Sequence, residues 1–334
     1  MSKIAIIIPC YNEEKYIAEC IESILSAELS HEETEVIFVD GESSDGTVEI
    51  IKKYISDNPF IQVLHNPKRY TPVSMNMGIR TTSAEYIFIL SAHAKYGKSY
   101  FSTLLYYIKE LKADCVGAIL ETEVKNKNKK SNAIKAVLQH RFGVGNASFR
   151  TGTFSIREVD TVAFGCYRKA SLEKFGLFDE RLIRNQDIEL NKRIVNDGGK
   201  IYLIPDVSCV YYARENFKDL AKNNYANGKW NILTAYYTNS FNALSLRHFV
   251  PLLFVLSLIV PLLFSLFLSQ IAWLSLLSLV SYLALVIILS FKLRTENRSF
   301  IYLLGSFLTL HLSYGIGSLA GIFSVSKKRI KGEK

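Results

Sequence analysis

Cysteine is scarce in this sequence, and no motif pairs the few that occur. None stands in a CxxC or another metal-type spacing. This absence excludes a disulfide framework and a cysteine zinc site, and it is typical of free thiols in a reducing compartment. The five scattered cysteines are Cys10, Cys20, Cys115, Cys166 and Cys209.

The chain also lacks an arginine-rich run and any stretch in which basic and aromatic residues alternate. Its net charge is nevertheless +9, with the densest basic stretches at 125–130 and 327–331. Without those runs the positive charge does not predict nucleic-acid binding. Anionic lipid headgroups and phosphate groups are the expected partners.

Charge of either sign is missing from 249–291, whereas acidic and basic residues are spread through 1–230. We therefore expect one part of the chain in water and another in the membrane. The predicted regions are a cytosolic domain at 1–240, a membrane region at 241–326 with two or three hydrophobic helices, and a basic tail at 327–334. The apolar stretches 249–268 and 271–291 are each long enough for a bilayer crossing. The stretch 300–323 contains His311 and several glycines, which fits a span, tight packing on a neighbour, or a re-entrant segment.

The basic tail limits the number of crossings. Three crossings from a cytosolic domain would export the tail, whereas the positive-inside tendency keeps it in the cytosol with the basic loop near Arg294. We therefore expect an even number. The apolar run at 4–8 is too short for a signal peptide and is followed by acidic residues, so we expect the N-terminus to stay in the cytosol.

The hydrophobic pattern of the first hundred residues alternates between strand and helix. Apolar runs at 4–8, 35–39, 61–64 and 86–90 are separated by helical patterns. This alternation predicts an α/β fold with a parallel, doubly wound sheet whose ligands lie beyond the carboxyl ends of the strands. The polar stretch 121–161 predicts a loop-rich insertion with a short helix near 133–140, and a further strand is expected at 200–205.

Two motifs follow the first two predicted strands. The sequence Pro-Cys-Tyr-Asn-Glu-Glu occupies 9–14, and Val-Asp-Gly-Glu-Ser-Ser-Asp-Gly-Thr occupies 39–47. Each motif alone fits an ordinary helix start, with Asn12 or Asp45 as the cap. Together, at this spacing, they resemble the opening of a family 2 glycosyltransferase with the GT-A fold.

Other segments extend the resemblance. Asn66-Pro67-Lys68-Arg69 and the segment from Asn76 resemble the stretch before the metal motif of that family, and the apolar C-terminal region resembles its bacterial, membrane-anchored exopolysaccharide members. The resemblance implies a Rossmann-like, mostly parallel sheet flanked by helices and followed by transmembrane helices. It also implies donor-binding residues, which on this sequence are Pro9, Tyr11, Glu13, Asp40, Asp45, Arg69, Asn76, Ser91 and His93.

The sequence departs from the family where its members carry Asp-x-Asp, because it reads Ser91-Ala92-His93. In the family an acidic pair there binds Mg²⁺ or Mn²⁺ on the diphosphate. By the resemblance, His93 could ligate a divalent cation or, when protonated, offset diphosphate charge. A plain polar contact is the alternative for a lone histidine at a strand end.

A second departure surrounds the predicted catalytic base. By the resemblance Asp187 matches the aspartate that deprotonates the acceptor, while Gln186 replaces the usual glutamate and is assigned to acceptor or phosphate contacts. Acidic residues are common in a first helical turn for structural reasons alone. Lys229 and Trp230 loosely resemble a motif of processive relatives, with an interfacial aromatic belt as the favoured alternative for Trp230.

These observations lead to one main hypothesis. The chain is expected to be an inverting glycosyltransferase at the cytoplasmic face of the plasma or inner membrane. It would transfer a hexose from a nucleotide diphosphate sugar, with UDP as the expected nucleotide, to a lipid-linked saccharide in surface polysaccharide synthesis. Two alternatives are a catalytically degenerate membrane scaffold and a transporter with a cytosolic regulatory domain, the latter disfavoured by the few polar residues in the apolar stretches.

Overall fold

The structure, a computed structural model, describes residues 3–241 and 244–330. The chain forms two compact units: the first contains the residues up to Glu121 together with Ser148–Tyr212, and the second contains Thr122–Ala147 and the chain from Ala213 onward. These units divide the chain differently from the predicted domains of 1–240 and 241–326. Residues 122–147 and 213–240 belong to the same unit as the apolar helices.

The elements alternate as predicted through the first hundred residues. In chain order they begin with β1 Ile4–Cys10, α1 Ile17–Leu25, β2 Thr34–Asp40, α2 Thr47–Ile55, β3 Ile61–His65, α3 Thr71–Thr81, β4 Tyr86–Ile89, β5 Ala94–Tyr96, α4 Tyr100–Glu110 and β6 Cys115–Glu123. They continue with α5 Lys129–Leu138, α6 Arg141–Val144, α7 Ser148–Thr151, β7 Arg157–Glu158, β8 Cys166–Arg168, α8 Lys169–Phe175, α9 Gln186–Asn196 and β9 Ile201–Tyr212.

The sheet is parallel in its first half and antiparallel in its second. Within the described residues, strands pair in the order β3-β2-β1-β4-β8-β6-β9-β5, with β7 beside β9. β3, β2, β1 and β4 are parallel, whereas β8 runs antiparallel to both β4 and β6. β9 likewise runs antiparallel to β5 and β7.

The predicted α/β class is confirmed, but the expectation of a mostly parallel sheet was wrong beyond β4. A helix lies between each pair of successive strands from β1 to β4, whereas β5 follows β4 directly.

Helices cover both faces of the sheet because strand side chains alternate between the faces. Ile6, Ile8 and Phe38 point into one layer, which is closed by α1, α2 and α4. Ile7 and Ile37 point into the other, closed by α3, α8 and α9. Burial on both faces explains why the strands read as continuous apolar runs without a polar face.

The insertion at 121–161 contains more regular structure than predicted. β6 extends to Glu123, and α5, α6 and α7 occupy much of the rest. Asn128 caps α5 by accepting hydrogen bonds from the backbone of Lys130 and Ser131, and Ile134 and Val137 are fully buried. α5 corresponds to the short helix predicted near 133–140, and its narrow apolar face within a lysine- and asparagine-rich stretch explains why its start at Lys129 was not predicted.

The second unit consists mainly of helices α10 Phe217–Tyr237, α11 Val250–Phe264, α12 Ala272–Leu293 and α13 Phe300–Ile330. α10 packs closely against α13 at two glycines. A Cβ on Gly228 would lie 2.0 Å from the Tyr314 carbonyl oxygen, and one on Gly317 would lie 2.0 Å from that of Tyr225. Only glycine permits this approach, so the sequence 300–323 does pack tightly on a neighbour, one of the three arrangements expected for it.

Two of these helical segments, Ser269–Leu293 and Phe300–Ile330, are long and apolar enough to cross a membrane. α11 is apolar but has only 15 residues. It pairs with α12 as an antiparallel hairpin, since the rings of Phe254 and Tyr282 lie 4.2 Å apart and the hydroxyl oxygens of Ser257 and Ser278 lie 2.6 Å apart. The apolar C-terminal helices suggest that the protein associates with a membrane.

Candidate active site

The loops after β1 and β2 are tied to each other at the carboxyl edge of the sheet. Asn12, in a left-handed conformation at φ 56°, donates its N–H to the Ser43 hydroxyl at 2.9 Å. Its side-chain oxygen accepts the Ser44 N–H at 2.8 Å. Because Cys10 pairs in register with Asp40, the two strands end at the same level and these loops face each other.

Asp40 and Asp45 are both held by backbone N–H groups of the second loop. Asp40 is 5% exposed, and its carboxylate oxygens accept the Ser43 N–H at 3.1 and 3.3 Å. Asp45 accepts the Thr47 N–H at 3.1 Å and the Glu14 N–H at 3.2 Å. Burial raises the pKa of Asp45, but the hydrogen bonds from Thr47 and Glu14 outweigh it and hold that pKa below its usual value.

Glu13 links this loop pair to the strand end after β4. Its backbone N–H donates to the Thr47 hydroxyl at 2.8 Å, and its carboxylate lies 2.9 Å from Nδ1 of His93. Both side chains are about one-fifth exposed, at 18% for Glu13 and 20% for His93. A carboxylate on one ring nitrogen fixes the orientation of an imidazole and directs Nε2 away from it.

Ser91 is positioned by the buried side chain of Tyr96. Its backbone N–H donates to the Tyr96 hydroxyl at 2.9 Å, and that hydroxyl donates to the Ser91 carbonyl oxygen at 3.1 Å. These hydrogen bonds hold the strand end at which Ser91 and His93 replace the acidic pair of the family.

Asp187 lies in the first turn of α9, just after Asn185, which adopts the left-handed conformation. Burial raises the pKa of the Asp187 carboxyl, although the Ile188 N–H and the Arg150 guanidinium partly offset this rise. A carboxylate of raised pKa is a stronger base than an exposed aspartate. Gln186 stands beside Asp187 at the start of the same helix.

Ring contacts join His93 to Arg150, and Arg150 acts electrostatically on Asp187. The rings of His93 and Tyr211 have centroids 5.1 Å apart, and the Arg150 guanidinium lies 5.5 Å from the Tyr211 centroid. Arg150 in turn contributes to the electrostatic environment of Asp187. His93, Tyr211 and Arg150 thus form one series of ring contacts between the strand end after β4 and α7, and the charge of Arg150 acts on Asp187 at the start of α9.

Sequence reasoning missed Arg150 and Tyr211. Arg150 lies within the stretch expected to be a loop, and Tyr211 lies beyond the predicted end of the last strand. The only available signal was the β-branched and aromatic run that continues to Tyr212, since β9 extends through Ile201–Tyr212.

The structure gives Asn76 a role other than the predicted donor contact. Asn76 is buried, and its amide nitrogen donates to the Phe178 carbonyl oxygen at 2.9 Å and to the Glu180 carboxylate at 3.0 Å. Its amide oxygen accepts the Phe178 N–H at 3.0 Å. With both ends of the amide engaged, Asn76 secures the segment before α9 instead of facing a ligand.

The remaining predicted residues lie in different surroundings. Pro9 pairs with Val39 within the sheet, and Tyr11 is 49% exposed at the loop that follows. The Arg69 guanidinium forms an ion pair with Glu42, the third residue of the Asp-Gly-Glu segment. Lys229 and Trp230 belong to α10 in the second unit, where the Trp230 ring stacks on Tyr237 at 6.4 Å.

Few of the described side chains at this strand end could coordinate a cation. Among the described residues, no group of three or more His, Cys, Asp or Glu side chains is arranged to hold a metal ion. The strand end offers the imidazole of His93 and the hydroxyl of Ser91. These residues fit a divalent cation only if most of its ligands are oxygens of a bound diphosphate, an arrangement common for Mg²⁺.

The profile of glycosyl transferase family 2 matches residues 5–175, which is just over half of the chain. The chain belongs to glycosyl transferase family 2. It is 31% identical over 273 residues to a dolichyl N-acetyl-alpha-D-glucosaminyl phosphate 3-beta-D-2,3-diacetamido-2,3-dideoxy-beta-D-glucuronosyltransferase of Methanococcus voltae, covering 78% of this chain and 82% of that protein. It is also 29% identical to the succinoglycan biosynthesis protein ExoA of Rhizobium meliloti, over 63% of each chain.

Solved structures of similar fold support the GT-A architecture. One is a Pyrobaculum calidifontis mannosyltransferase in complex with GDP-Man and Mn²⁺, with a TM-score of 0.56, 14% identity, and coverage of 99% of this chain and 88% of that one. Another is S. aureus TarS 1-349 in complex with UDP-GlcNAc, with a TM-score of 0.54, 17% identity, and coverage of 99% and 92%. The predictions of family, fold class and glycosyltransferase activity are therefore confirmed.

The raised pKa of Asp187 predicts a stability change in Asp187→Asn. A carboxyl whose pKa is raised by folding stabilises the protein below its unfolded pKa of about 3.9, and this contribution is lost as pH rises through the folded pKa. Asp187→Asn should therefore raise the thermal unfolding midpoint at pH 8 and lose that advantage near pH 4. The control is Asp197→Asn, at the exposed far end of α9. Equal shifts at both pH values would contradict the assigned cause.

Proposed function

We propose that this transferase moves a hexose, with inversion at the anomeric carbon, from a nucleotide diphosphate sugar to a lipid-linked saccharide in surface polysaccharide synthesis. The observation that carries the proposal is the pairing of Glu13 with His93 at the carboxyl edge of the sheet, together with the raised pKa of Asp187 at the start of α9. The Methanococcus relative, named for a dolichyl phosphate-linked sugar, and the succinoglycan protein support the lipid-linked acceptor and the polysaccharide context.

The donor is proposed to bind at the paired loops after β1 and β2. The Asp40 carboxylate would accept a hydrogen bond from the N–H of a uracil or from a ribose hydroxyl, and UDP is the nucleotide we propose. Asp45, Glu13 and Thr47 keep the loop in place through the hydrogen bonds described above. Pro9 and Tyr11 would line the entrance, and the exposed Arg69 would stand at its margin.

Asp187 is proposed as the general base. Inversion requires a group that removes the proton of the acceptor hydroxyl as that oxygen attacks the anomeric carbon, on the face opposite the departing diphosphate. One carboxylate is sufficient, and its burial increases its basicity. Gln186 would hold the acceptor by hydrogen bonds, because its amide cannot serve as a base.

The leaving diphosphate needs positive charge nearby. A divalent cation held by diphosphate oxygens, with His93 and Ser91 as protein ligands, would neutralise the departing group when bound. Glu13 orients the His93 ring for this task. Lys229 and Trp230 remain proposed acceptor or phosphate contacts of the second unit.

The Asp187→Asn variant tests the proposed chemistry. Binding of the donor nucleotide should stay nearly unchanged, whereas transfer to the acceptor should fall about 10²- to 10⁴-fold, the usual contribution of a general base. Transfer can be followed by mass spectrometry of the lipid-linked product, with Asp197→Asn as the matched control. Near-normal turnover would remove Asp187 from this role, and a wild-type protein without transfer would favour the scaffold.

We also propose that the α11–α12 hairpin is the membrane-inserted segment, with both of its ends on the cytoplasmic side. Arg247 precedes the hairpin, and Lys292 and Arg294 follow it, while no charge occurs in between. α13 packs along the polar helix α10, whose many lysines and asparagines would be costly in hydrocarbon. This arrangement keeps the basic tail on the cytoplasmic side.

Single-cysteine labelling tests this topology. The native cysteines are all buried, so a maleimide that cannot cross membranes should report introduced cysteines only. Glu296→Cys lies between α12 and α13, and Lys328→Cys lies at the end of α13. Both should be labelled in lysed cells and protected in intact cells. Labelling of Glu296→Cys in intact cells would show that α12 and α13 cross the membrane as a pair instead.

A further inference from the structure

Arg150 differs from Arg168 and Arg193, two other half-buried arginines of the first unit, because none of the described residues gives its guanidinium a polar partner. Its guanidinium lies 5.5 Å from the ring centroids of both Phe149 and Tyr211. In the part of the chain that the structure describes, no protein acceptor lies within hydrogen-bond distance of this guanidinium and no carboxylate lies within ion-pair distance. The residue is half-buried on the short helix α7.

Two other half-buried arginines of the same unit have structural roles, and their guanidinium groups bond to the protein. Arg168 donates to the carbonyl oxygens of Ala113 and Ile108, each at 2.8 Å. Arg193 donates to the Phe175 carbonyl oxygen at 2.6 Å and forms an ion pair with Glu189. Their N–H groups are satisfied within the fold, as buried donors normally are.

The guanidinium of Arg150 therefore loses part of its hydration without gaining a hydrogen bond or an ion pair from the described residues. Burial lowers its pKa, although Tyr211 and Asp187 act in the opposite direction. An arginine remains charged in proteins even so. Keeping a desolvated cation without a hydrogen-bonding partner costs free energy, and a bound anion would recover that cost.

The neighbours of Arg150 indicate which anion fits. The planar guanidinium presents five N–H donors in a fork that matches the oxygens of a phosphate, and aromatic rings beside it fix the plane of that fork. Tyr211 also contacts His93, so a single ring separates Arg150 from the strand end after β4.

We propose that Arg150 is a phosphate-binding residue of the cleft, and this proposal rests on the proposed function. The ligand is a phosphate group of a substrate, carried either by the nucleotide diphosphate donor or by a phosphate-linked lipid acceptor. Where the family carries an acidic pair for a cation, this chain has Ser91 and His93, so a fixed positive charge nearby supplies part of the missing neutralisation.

The test compares Arg150→Gln and Arg150→Lys with the exposed control Arg157→Gln in the purified full-length protein. Binding of inorganic pyrophosphate and of UDP is measured by calorimetry without acceptor, and the KM for the lipid-linked acceptor is measured at saturating donor. Loss of a charge-assisted pair of hydrogen bonds should weaken the affected step about 10- to 100-fold in Arg150→Gln and less in Arg150→Lys. Arg157→Gln should behave as wild type.

The two sources of phosphate give different results. Weaker pyrophosphate and UDP binding identifies the donor diphosphate, whereas unchanged UDP binding with a raised acceptor KM identifies the acceptor phosphate. Unchanged values for all three, with only a lower thermal unfolding midpoint, would overturn the proposal and leave Arg150 as a packing residue. Pyrophosphate binding requires no turnover, so it separates a failure of this proposal from a failure of the proposed transfer reaction.

Discussion

The site depends on the register between β1 and β2. Cys10 stands opposite Asp40, and Asp40 opposite His65, so three parallel strands end at one level. The loops that leave this edge are joined by the hydrogen bonds of Asn12 with Ser43 and Ser44. A shift of one residue would turn every side chain of a strand to the opposite face, so burial on both faces fixes the position of Asp40 and of the loops.

Charge in the cleft is balanced among the groups of the network. Glu13 faces His93, whereas Arg150 faces aromatic rings and acts electrostatically on the half-buried Asp187. A carboxyl that is desolvated at the start of a helix is unfavourable for the fold and useful for proton removal, a conflict that is common at functional sites. Binding of a phosphate-bearing substrate would supply negative charge where the protein carries unpaired positive charge.

The sequence predicted the parts of the fold that depend on local pattern. The alternating apolar runs predicted β1 to β4, and the motifs at 9–14 and 39–47 indicated the loops that meet at the sheet edge. The antiparallel half was not predictable, because β6, β8 and β9 pair across long stretches of chain whose order no periodicity reveals. The same reason hid Arg150 and Tyr211, which meet only through tertiary packing, and the hydrogen bonds that engage Asn76.

We propose that Asp40, His93 and Asp187 lie around one bound sugar nucleotide. An experimental structure of the protein with a nucleotide diphosphate sugar tests it most directly. We predict the nucleotide against Asp40, the diphosphate between His93 and Arg150, and the anomeric carbon facing Asp187. A sugar nucleotide bound elsewhere, or apolar side chains packed between these three residues, would contradict the account.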